Sequence, residues 1–364
     1  MEKLKQAVKE IAYYRHQAKF SKLHLSLIPF LSLSSSLYGA LLYTRQSLYR
    51  SGFFSKNRLP VPVISVGNLT WGGNGKTPMA EFIAKRLADY GISPLILTRG
   101  YAGGDEAKML KRHLLGGPVK VGVGANRVAT ANLFFEKYGY VDYRGSKFFE
   151  RTYLDPKMGS HVGSQKIGAA VLDDGMQHWS LCRDLEIVMI NGLMPWGNCK
   201  LLPLGPLREP LIAIKRANIA VVHHADLVLE QKLKDIKLVV QEIKESLPIF
   251  YTRMTPSYFF ELRNISTKMH LGAVLDAVVL CVSAIGSPDA FVRAMEKIGP
   301  LFVDRFDFSD HYSFQLKDYD RDPEILKHLH PFKVLVLCSE MQIIPCNGCN
   351  EDSFKSLLKE LLEV

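Results

Sequence analysis

Residues Val61 to Pro78 read VPVISVGNLTWGGNGKTP, an apolar, β-branched run that opens into a glycine-rich turn ending on Gly75, Lys76 and Thr77. A run of this kind suits a strand buried on both faces, and a glycine-rich turn between such a strand and a helix suits a phosphate-binding loop. In such a loop backbone N–H groups converge on phosphate, the lysine adds a point charge and the threonine hydroxyl ligates Mg²⁺. The spacing departs from G-x-x-x-x-G-K-[ST] at one place, where Thr70 stands for the first glycine while Gly72 and Gly73 supply backbone freedom. Thr70, Gly72, Gly73, Asn74, Gly75, Lys76 and Thr77 are the expected cradle for a nucleoside triphosphate. The plainer alternative is an ordinary strand-to-helix turn.

The rest of the chain supplies the alternation that such a loop needs. Aliphatic runs at Ser93–Leu97, Val119–Val123, Ala169–Leu172, Leu185–Ile190 and Ile219–Val222 are too short for helices. Helical stretches at Lys76–Tyr90, from Asp105, and at Asn126–Tyr138 alternate with the first of them. This pattern predicts an α/β fold of P-loop NTPase type: a doubly wound, mostly parallel sheet binding ligands beyond the carboxyl ends of its strands. The polar stretch Val141–Gln165 reads as an insertion or loop. From Ser257 a second set begins, with strands at Ala277–Val282, Leu301–Arg305 and Lys333–Leu337 and helices at Pro288–Ile298, Pro323–Leu329 and Glu351–Leu362. The expected division is an N-terminal membrane-associating helical segment over 1–58, a P-loop domain over 59–256, and a smaller C-terminal α/β domain over 257–364. A chain of 364 residues, 47% hydrophobic, is long enough for two cores and is not disordered.

Charge narrows the partners. A net charge of +10 calls for an anionic one, whether nucleic acid, membrane surface or phosphorylated substrate. The excess is concentrated at the N-terminus, where ten Lys and Arg between Met1 and Arg58 face only Glu2 and Glu10. Within it, Leu23–Tyr43 carries no charge but contains Pro29, Gly39 and Ser32, Ser34, Ser35 and Ser36. A bilayer span wants about 20 strongly apolar residues. The serines and proline instead favour a broken helix lying in the interface, its basic flanks toward lipid head groups. Eight excess cations bound the electrostatic attraction at about 8 kcal/mol before screening. A cleaved organellar presequence and a plain buried helix are the alternatives. The six scattered cysteines fit a reducing compartment, and Cys346 with Cys349 lacks the second pair that a zinc site needs.

The chemistry-bearing residues follow the strands. Ala169–Leu172 ends in Asp173 and Asp174, placing carboxylates opposite the phosphate loop where they can hold Mg²⁺; turn acids capping the next element are the alternative. Gln177 and His178 follow on the same turn. Asp105 lies just past the second strand, as a helix cap or as a general base for a sugar hydroxyl. Asn191–Pro210 is a long loop of the kind that covers sites. In it Arg208 can stabilise phosphoryl charge and Glu209 can support the metal, with a surface ion pair as the alternative. Asp310 and His311 offer an acid and an imidazole from the second domain.

Taken together, VGNLTWGGNGKTP, TRGY, GDE, VGVGANR, LDDGMQHWSLCRDLEIVMING, LLPLGPLREP, AIGSPDAF and DHYSF resemble, in that order along almost the whole chain, the tetraacyldisaccharide 4'-kinase (lipid A 4'-kinase) family. The Leu193–Leu204 wording and the sequence after Asp318 are closer to plant members. The resemblance implies a membrane-associated P-loop kinase that transfers the ATP γ-phosphate to the 4' hydroxyl of a tetraacyl glucosamine disaccharide 1-phosphate in lipid A biosynthesis. It implies ATP and Mg²⁺ as cofactors and an acylated disaccharide phosphate and a membrane surface as partners, with no nucleic acid. A plant member would be mitochondrial, a bacterial one at the cytoplasmic face of the inner membrane. By the same resemblance Lys76 and Thr77 serve the phosphates and Mg²⁺, Asp173 and Asp174 hold the metal, and Gln177 and Glu209 assist it. Asp105 is the implied base, His311 orients it, and Arg127 and His178 contact substrate or phosphate. Two departures mark this chain: only Ala102 and Gly103 separate the RGY and GDE motifs, and the segment after the D-H motif is cut to Gln315-Leu316-Lys317-Asp318. They leave open a membrane-bound nucleotide binder with reduced catalysis. A P-loop GTPase or metallochaperone is a further alternative, opposed by the missing N-K-x-D motif.

Overall fold

The computed structural model describes residues 2–13, 21–100, 105–142, 166–261, 264–308, 335–346 and 349–362. They form two compact units: Met1–Thr252 together with Ile343–Val364, and Arg253–Gln342.

In the first unit the strands are β1 (Val63–Asn68), β2 (Pro94–Thr98), β3 (Lys120–Val123), β4 (Ala169–Asp173), β5 (Leu185–Asn191), β6 (Ile219–His223) and the first residues of β7 (Ile249–Glu261). Their order is β7-β6-β5-β1-β4-β2-β3, and every neighbouring pair is parallel. β1, β2, β4, β5 and β6 are buried at every position, because helices cover both faces of a parallel sheet. The helices are α3 (Lys76–Asp89), α4 (Asp105–His113), α5 (Arg127–Tyr138) and α6 (Glu230–Ile243). One core packs Val63, Leu95, Leu97, Ala170 and Leu172 with Ala131 and Phe135 of α5. The other packs Val188, Ile190, Ala220 and Val222 with Ile236 and Val240 of α6. The sheet matches the expected strands within a residue or two, whereas α6 and the 13-residue β7 had no counterpart in the sequence reading.

Two helices precede the sheet, α1 (Glu2–Tyr13) and α2 (Lys22–Arg50). α2 runs unbroken through Pro29, against the expectation of a broken helix. Its hydroxyls do not compete with the helix backbone for N–H groups. Ser26, Ser36 and Thr44 donate back to the Leu23, Ser32 and Ala40 carbonyls, and Ser35 donates to the Leu201 carbonyl at 2.9 Å.

The second unit holds the remainder of β7 with β8 (Asn264–Met269) antiparallel to it, and a two-stranded parallel sheet of β9 (Val278–Ser283) and β10 (Phe302–Asp307) joined through α7 (Pro288–Ile298). Phe259, Val274, Cys281, Val292 and Met295 form its core, while Val278, Leu280, Val282, Phe302 and Phe306 are exposed. β11 (Leu335–Ile343) closes the list of strands. The expected helix at Pro323–Leu329 lies outside the described residues, as does most of the loop Val141–Gln165.

The expected domain over 257–364 differs from this division at its end. Ile343–Val364 belongs to the first unit, because α8 (Glu351–Leu362) packs there: the Phe354 ring lies 5.0 Å from Phe250 and 6.1 Å from Phe82, and Arg86 pairs with Glu351 at 2.9 Å. Phe354→Ala is expected to cost about 3 kcal/mol in chemical denaturation of the full chain, as for a buried aromatic. A loss below about 1 kcal/mol would place this helix outside the core.

Candidate active site

The loop between β1 and α3 is shaped by what its carbonyls do. Leu69 O accepts from Arg208 N at 2.6 Å, Thr70 O from Asn68 Nδ2 at 2.6 Å, and Trp71 O from the Tyr13 hydroxyl at 3.1 Å. Gly72 O accepts from Asn74 Nδ2 at 2.9 Å and Gly73 O from Asn191 Nδ2 at 3.0 Å. With five successive carbonyls taken up by protein donors, the N–H groups of Gly72, Gly73, Asn74 and Gly75 meet no protein acceptor among the described residues. Backbone N–H groups grouped in this way at a helix N-terminus make an anion site. Gly75 caps α3 in the left-handed region at φ 74°, and a Cβ there would lie 2.5 Å from Cδ2 of His223. No other residue type fits both demands.

Lys76 and Thr77 open α3 and face the acids at the end of β4. Thr77 Oγ1 donates to Asp173 Oδ2 at 3.0 Å, and Lys76 Nζ lies 3.6 Å from Asp174 Oδ1. Asp173 is 2% exposed, its Oδ1 has no hydrogen-bond partner, and its carboxyl is pushed up to about 7. Burial is the main cause, with Glu106 and Asp174 adding like charge. Burial also works against ionisation of Asp174, but Lys76 and Arg208 outweigh it and hold that carboxyl below the usual carboxylate range. Arg208 Nη1 reaches both Asp174 oxygens at 2.8 Å. Asp174 itself sits at φ 55°, a left-handed conformation that costs a non-glycine residue energy and that these two cations help to hold.

An unpartnered buried carboxylate oxygen beside a threonine hydroxyl fits a hard divalent cation, which takes oxygen ligands. No cluster of three or more His, Cys, Asp or Glu capable of holding a metal occurs among the described residues. Asp173, Asp174 and Thr77 thus suit an ion that completes its shell with phosphate and water, as Mg²⁺ does.

The other expected residues are placed differently. Glu209 is fully buried, and its oxygens accept from Arg216 at 2.7 and 3.0 Å, from Gln46 at 3.3 Å and from Gln177 at 3.1 Å. It is no surface ion pair, and it meets the acid turn through Gln177 and not through a free oxygen. Gln177 Nε2 also donates to Asn68 O at 2.9 Å, tying the turn to β1. Arg127 is 4% exposed and donates to the Asp173 carbonyl at 3.3 Å, so it braces the acid turn from inside. His178 pairs with the Ser180 hydroxyl at 3.2 Å, and its imidazole is pushed down to about 4 by burial and by Arg127, Arg183, Arg45 and Arg99. Asp105 begins α4, but its side chain lies outside the described residues, as does His311.

Several contributors were not anticipated. Arg183 donates to the Met176 and His178 carbonyls and pairs with Glu186, which also accepts from Ser65 at 2.7 Å. Arg216 stacks over Trp179 at 4.4 Å while holding Glu209. His223 is buried, with Nδ1 3.0 Å from the Thr252 hydroxyl, and burial with neighbouring His224 keeps it neutral. The one signal available in the sequence was Glu186, an acid inside the apolar run LEIVMIN.

A carboxyl held near 7 in the folded chain but at about 3.8 when unfolded retains a proton through that interval, so its burial penalty grows as pH rises from 4 to 7 and is constant above. Without divalent cations, the melting temperature of Asp173→Asn minus that of the parent is therefore expected to become more positive from pH 5 to pH 8, on the order of 5 °C. A flat difference would remove the raised carboxyl from the account.

The model of the family described as Tetraacyldisaccharide-1-P 4'-kinase matches residues 27–358. An Arabidopsis thaliana protein named "Probable tetraacyldisaccharide 4'-kinase, mitochondrial" is 55% identical over 390 aligned positions, covering 100% of this chain and 98% of its own. With 364 residues here, an alignment of 390 positions leaves at least 26 in the relative without a counterpart. A Halothermothrix orenii protein named "Tetraacyldisaccharide 4'-kinase" is 31% identical over 306 positions, covering 80% of this chain and 76% of its own. The crystal structure of LpxK from Aquifex aeolicus in complex with ATP superposes with a TM-score of 0.60 at 24% identity, covering 93% of this chain and 99% of that one, and establishes the P-loop kinase fold. The match to the family model over nearly the whole chain, beside a 55% identical relative, places this chain in the tetraacyldisaccharide 4'-kinase family.

Proposed function

We propose that this chain transfers the γ-phosphate of ATP to the 4' hydroxyl of a tetraacylated glucosamine disaccharide 1-phosphate, with Mg²⁺, at a membrane surface. The observation that carries the reading is Asp173: a buried carboxylate with one unpartnered oxygen, 3.0 Å from the hydroxyl of a phosphate-loop threonine. The nucleotide-switch and metallochaperone readings, and that of a binder without turnover, are not favoured for a member of this family.

Phosphoryl transfer depends on positioning and on charge stabilisation more than on covalent chemistry of the protein. The N–H groups of residues 72–75 cradle the triphosphate, and Lys76 adds its charge beside them. Mg²⁺, when bound to Asp173, Asp174 and Thr77, neutralises phosphate charge. Gln177 and Glu209 support that cation from the next layer, holding the acid turn against β1 and the Arg208 loop. Arg208, paired with Asp174, stands where charge on the transferred group can be met. Asp105 accepts the proton of the sugar hydroxyl and His311 orients it. Its neighbour Glu106 acts electrostatically on Asp173, so the start of α4 faces the acid turn. The arginines around His178 suit an anionic acceptor, with His178 and Arg127 among the groups that shape its site.

α2 supports the membrane part. At 100° per residue, Phe30, Leu33, Leu37 and Leu41 fall on one side and are 60–73% exposed. Ser35 and Gln46 fall on the opposite side and Tyr38 and Arg45 on the flank, and all four hydrogen-bond to the protein body. An apolar stripe outward with cations at Lys22, Arg50, Lys56 and Arg58 fits peripheral binding to an anionic leaflet. The compartment named for the Arabidopsis relative, the mitochondrion, is the one we assign.

The test is ATP consumption with and without a tetraacyl disaccharide 1-phosphate. Acceptor-dependent ADP release with a 4'-phosphorylated product is expected; acceptor-independent GTP hydrolysis, or binding without turnover, would sink the reading. Lys76→Ala and Asp105→Ala should each lower kcat by about a hundredfold or more. Leu33→Glu with Leu37→Glu should weaken binding to anionic vesicles by about tenfold or more, and unchanged vesicle binding would remove the stripe from the membrane contact.

A further inference from the structure

Side chains of α2 outside the exposed stripe touch Arg208, Gln177 and Glu209. The Tyr38 hydroxyl donates to the Arg208 carbonyl at 2.9 Å. Eight residues on, Gln46 Nε2 donates to Glu209 Oε2 at 3.3 Å, and between them Arg45 Nη2 donates to the Gln177 carbonyl at 3.3 Å. Positions 38, 45 and 46 share one side of a helix. Arg208 is held from the opposite direction as well, by its N–H on the Leu69 carbonyl at 2.6 Å. The residue is thus clamped between the phosphate loop and the N-terminal helix. Its loop, Asn191–Pro210, contains no helix and, after Asn191, no strand; buried Trp196 and Leu207 and the bond from Trp71 N–H to the Pro206 carbonyl hold its backbone to the body, and Tyr38 and Gln46 add the ties at Arg208 and Glu209 themselves.

We propose that Tyr38 and Gln46 are positioning residues for phosphoryl transfer, fixing Arg208 and Glu209 from a helix whose other face meets the membrane. The inference rests on the kinase reading. A guanidinium that stabilises a transferred phosphoryl group acts through its location, and a shift of about 1 Å is enough to lower turnover severely. Four of the five carbonyls of the triphosphate cradle are held without these two side chains or Arg208, by Asn68, Tyr13, Asn74 and Asn191, so nucleotide binding is the less affected step. The helix that composition likens to a removable leader is in this view part of the catalytic apparatus.

In the full chain, Tyr38→Phe and Gln46→Leu are expected to lower kcat by about tenfold while KM for ATP stays within about twofold. Thr44→Val, which removes a hydroxyl bonded only within the same helix, should leave both unchanged. Amide hydrogen exchange supplies a readout that does not need turnover: both variants should exchange faster across Leu201–Glu209 and not across Leu185–Asn191. A kcat within about twofold of the parent, a loss that Thr44→Val shares, or unchanged exchange across Leu201–Glu209 would overturn the proposal. A parent chain with no acceptor-dependent turnover would defeat the kinase reading instead, and exchange alone would then decide whether α2 fixes the Arg208 loop.

Discussion

The rest of the structure is arranged around one unfavourable group, the Asp173 carboxylate at the end of β4. Placing it beneath the surface with one oxygen unpaired is costly, and burial, with Glu106 and Asp174 nearby, raises its affinity for a proton. The surrounding layers hold the turn that bears it without neutralising it. Arg127 binds its backbone carbonyl and not its carboxylate, and Arg183 binds the carbonyls two turns of chain later. Arg208 and Lys76 go to Asp174. Four cations thus surround the acid turn, yet none makes an ion pair with Asp173. That selectivity leaves the carboxylate available to a metal ion, and it explains why the two adjacent aspartates have opposite shifts.

A second layer makes the arrangement rigid. Glu186 is a buried acid near the start of a strand, which is tolerable because Arg183 and Ser65 engage both its oxygens. Gly67 permits the turn to close on β1, since a Cβ there would stand 2.3 Å from that of Met176. The consequence is a short path from sheet register to the geometry of the acid turn. Val66 pairs with Asp173 across β1 and β4, so the phosphate loop and the acid turn leave the sheet from matched positions.

Much of this was legible in the sequence for a physical reason. The sheet strands are hydrophobic on both faces, so each appears as an uninterrupted aliphatic run, and the glycine-lysine-threonine and aspartate pairs interrupt those runs at their ends. Long-range partners leave no such mark. Gln46 and Glu209 are 163 positions apart, and Tyr38 and Arg208 170. Nothing local to either marks the pairing. The role given to Glu209 from its loop position missed that Arg216, seven residues on, occupies it. The break expected at Pro29 failed similarly: proline and serine tendencies are weak against a helix anchored on the body by Ser35, Tyr38 and Gln46. β7 and α6 were unread because neither carries chemistry and their patterns are interrupted by charge.

The anchoring of α2 also decides how such a helix meets a bilayer. By length and composition it can cross one. Crossing would strip the hydrogen bonds of Ser35, Tyr38, Arg45 and Gln46, each worth about 1 kcal/mol. It would also bring Arg45 toward hydrocarbon at about 2.5–3.5 kcal/mol if it reached the middle. Lying in the interface keeps every one of those bonds and still removes Phe30, Leu33, Leu37 and Leu41 from water, at about 1.5–3 kcal/mol for each side chain fully buried. The surface orientation gains most of the apolar term and none of the penalties.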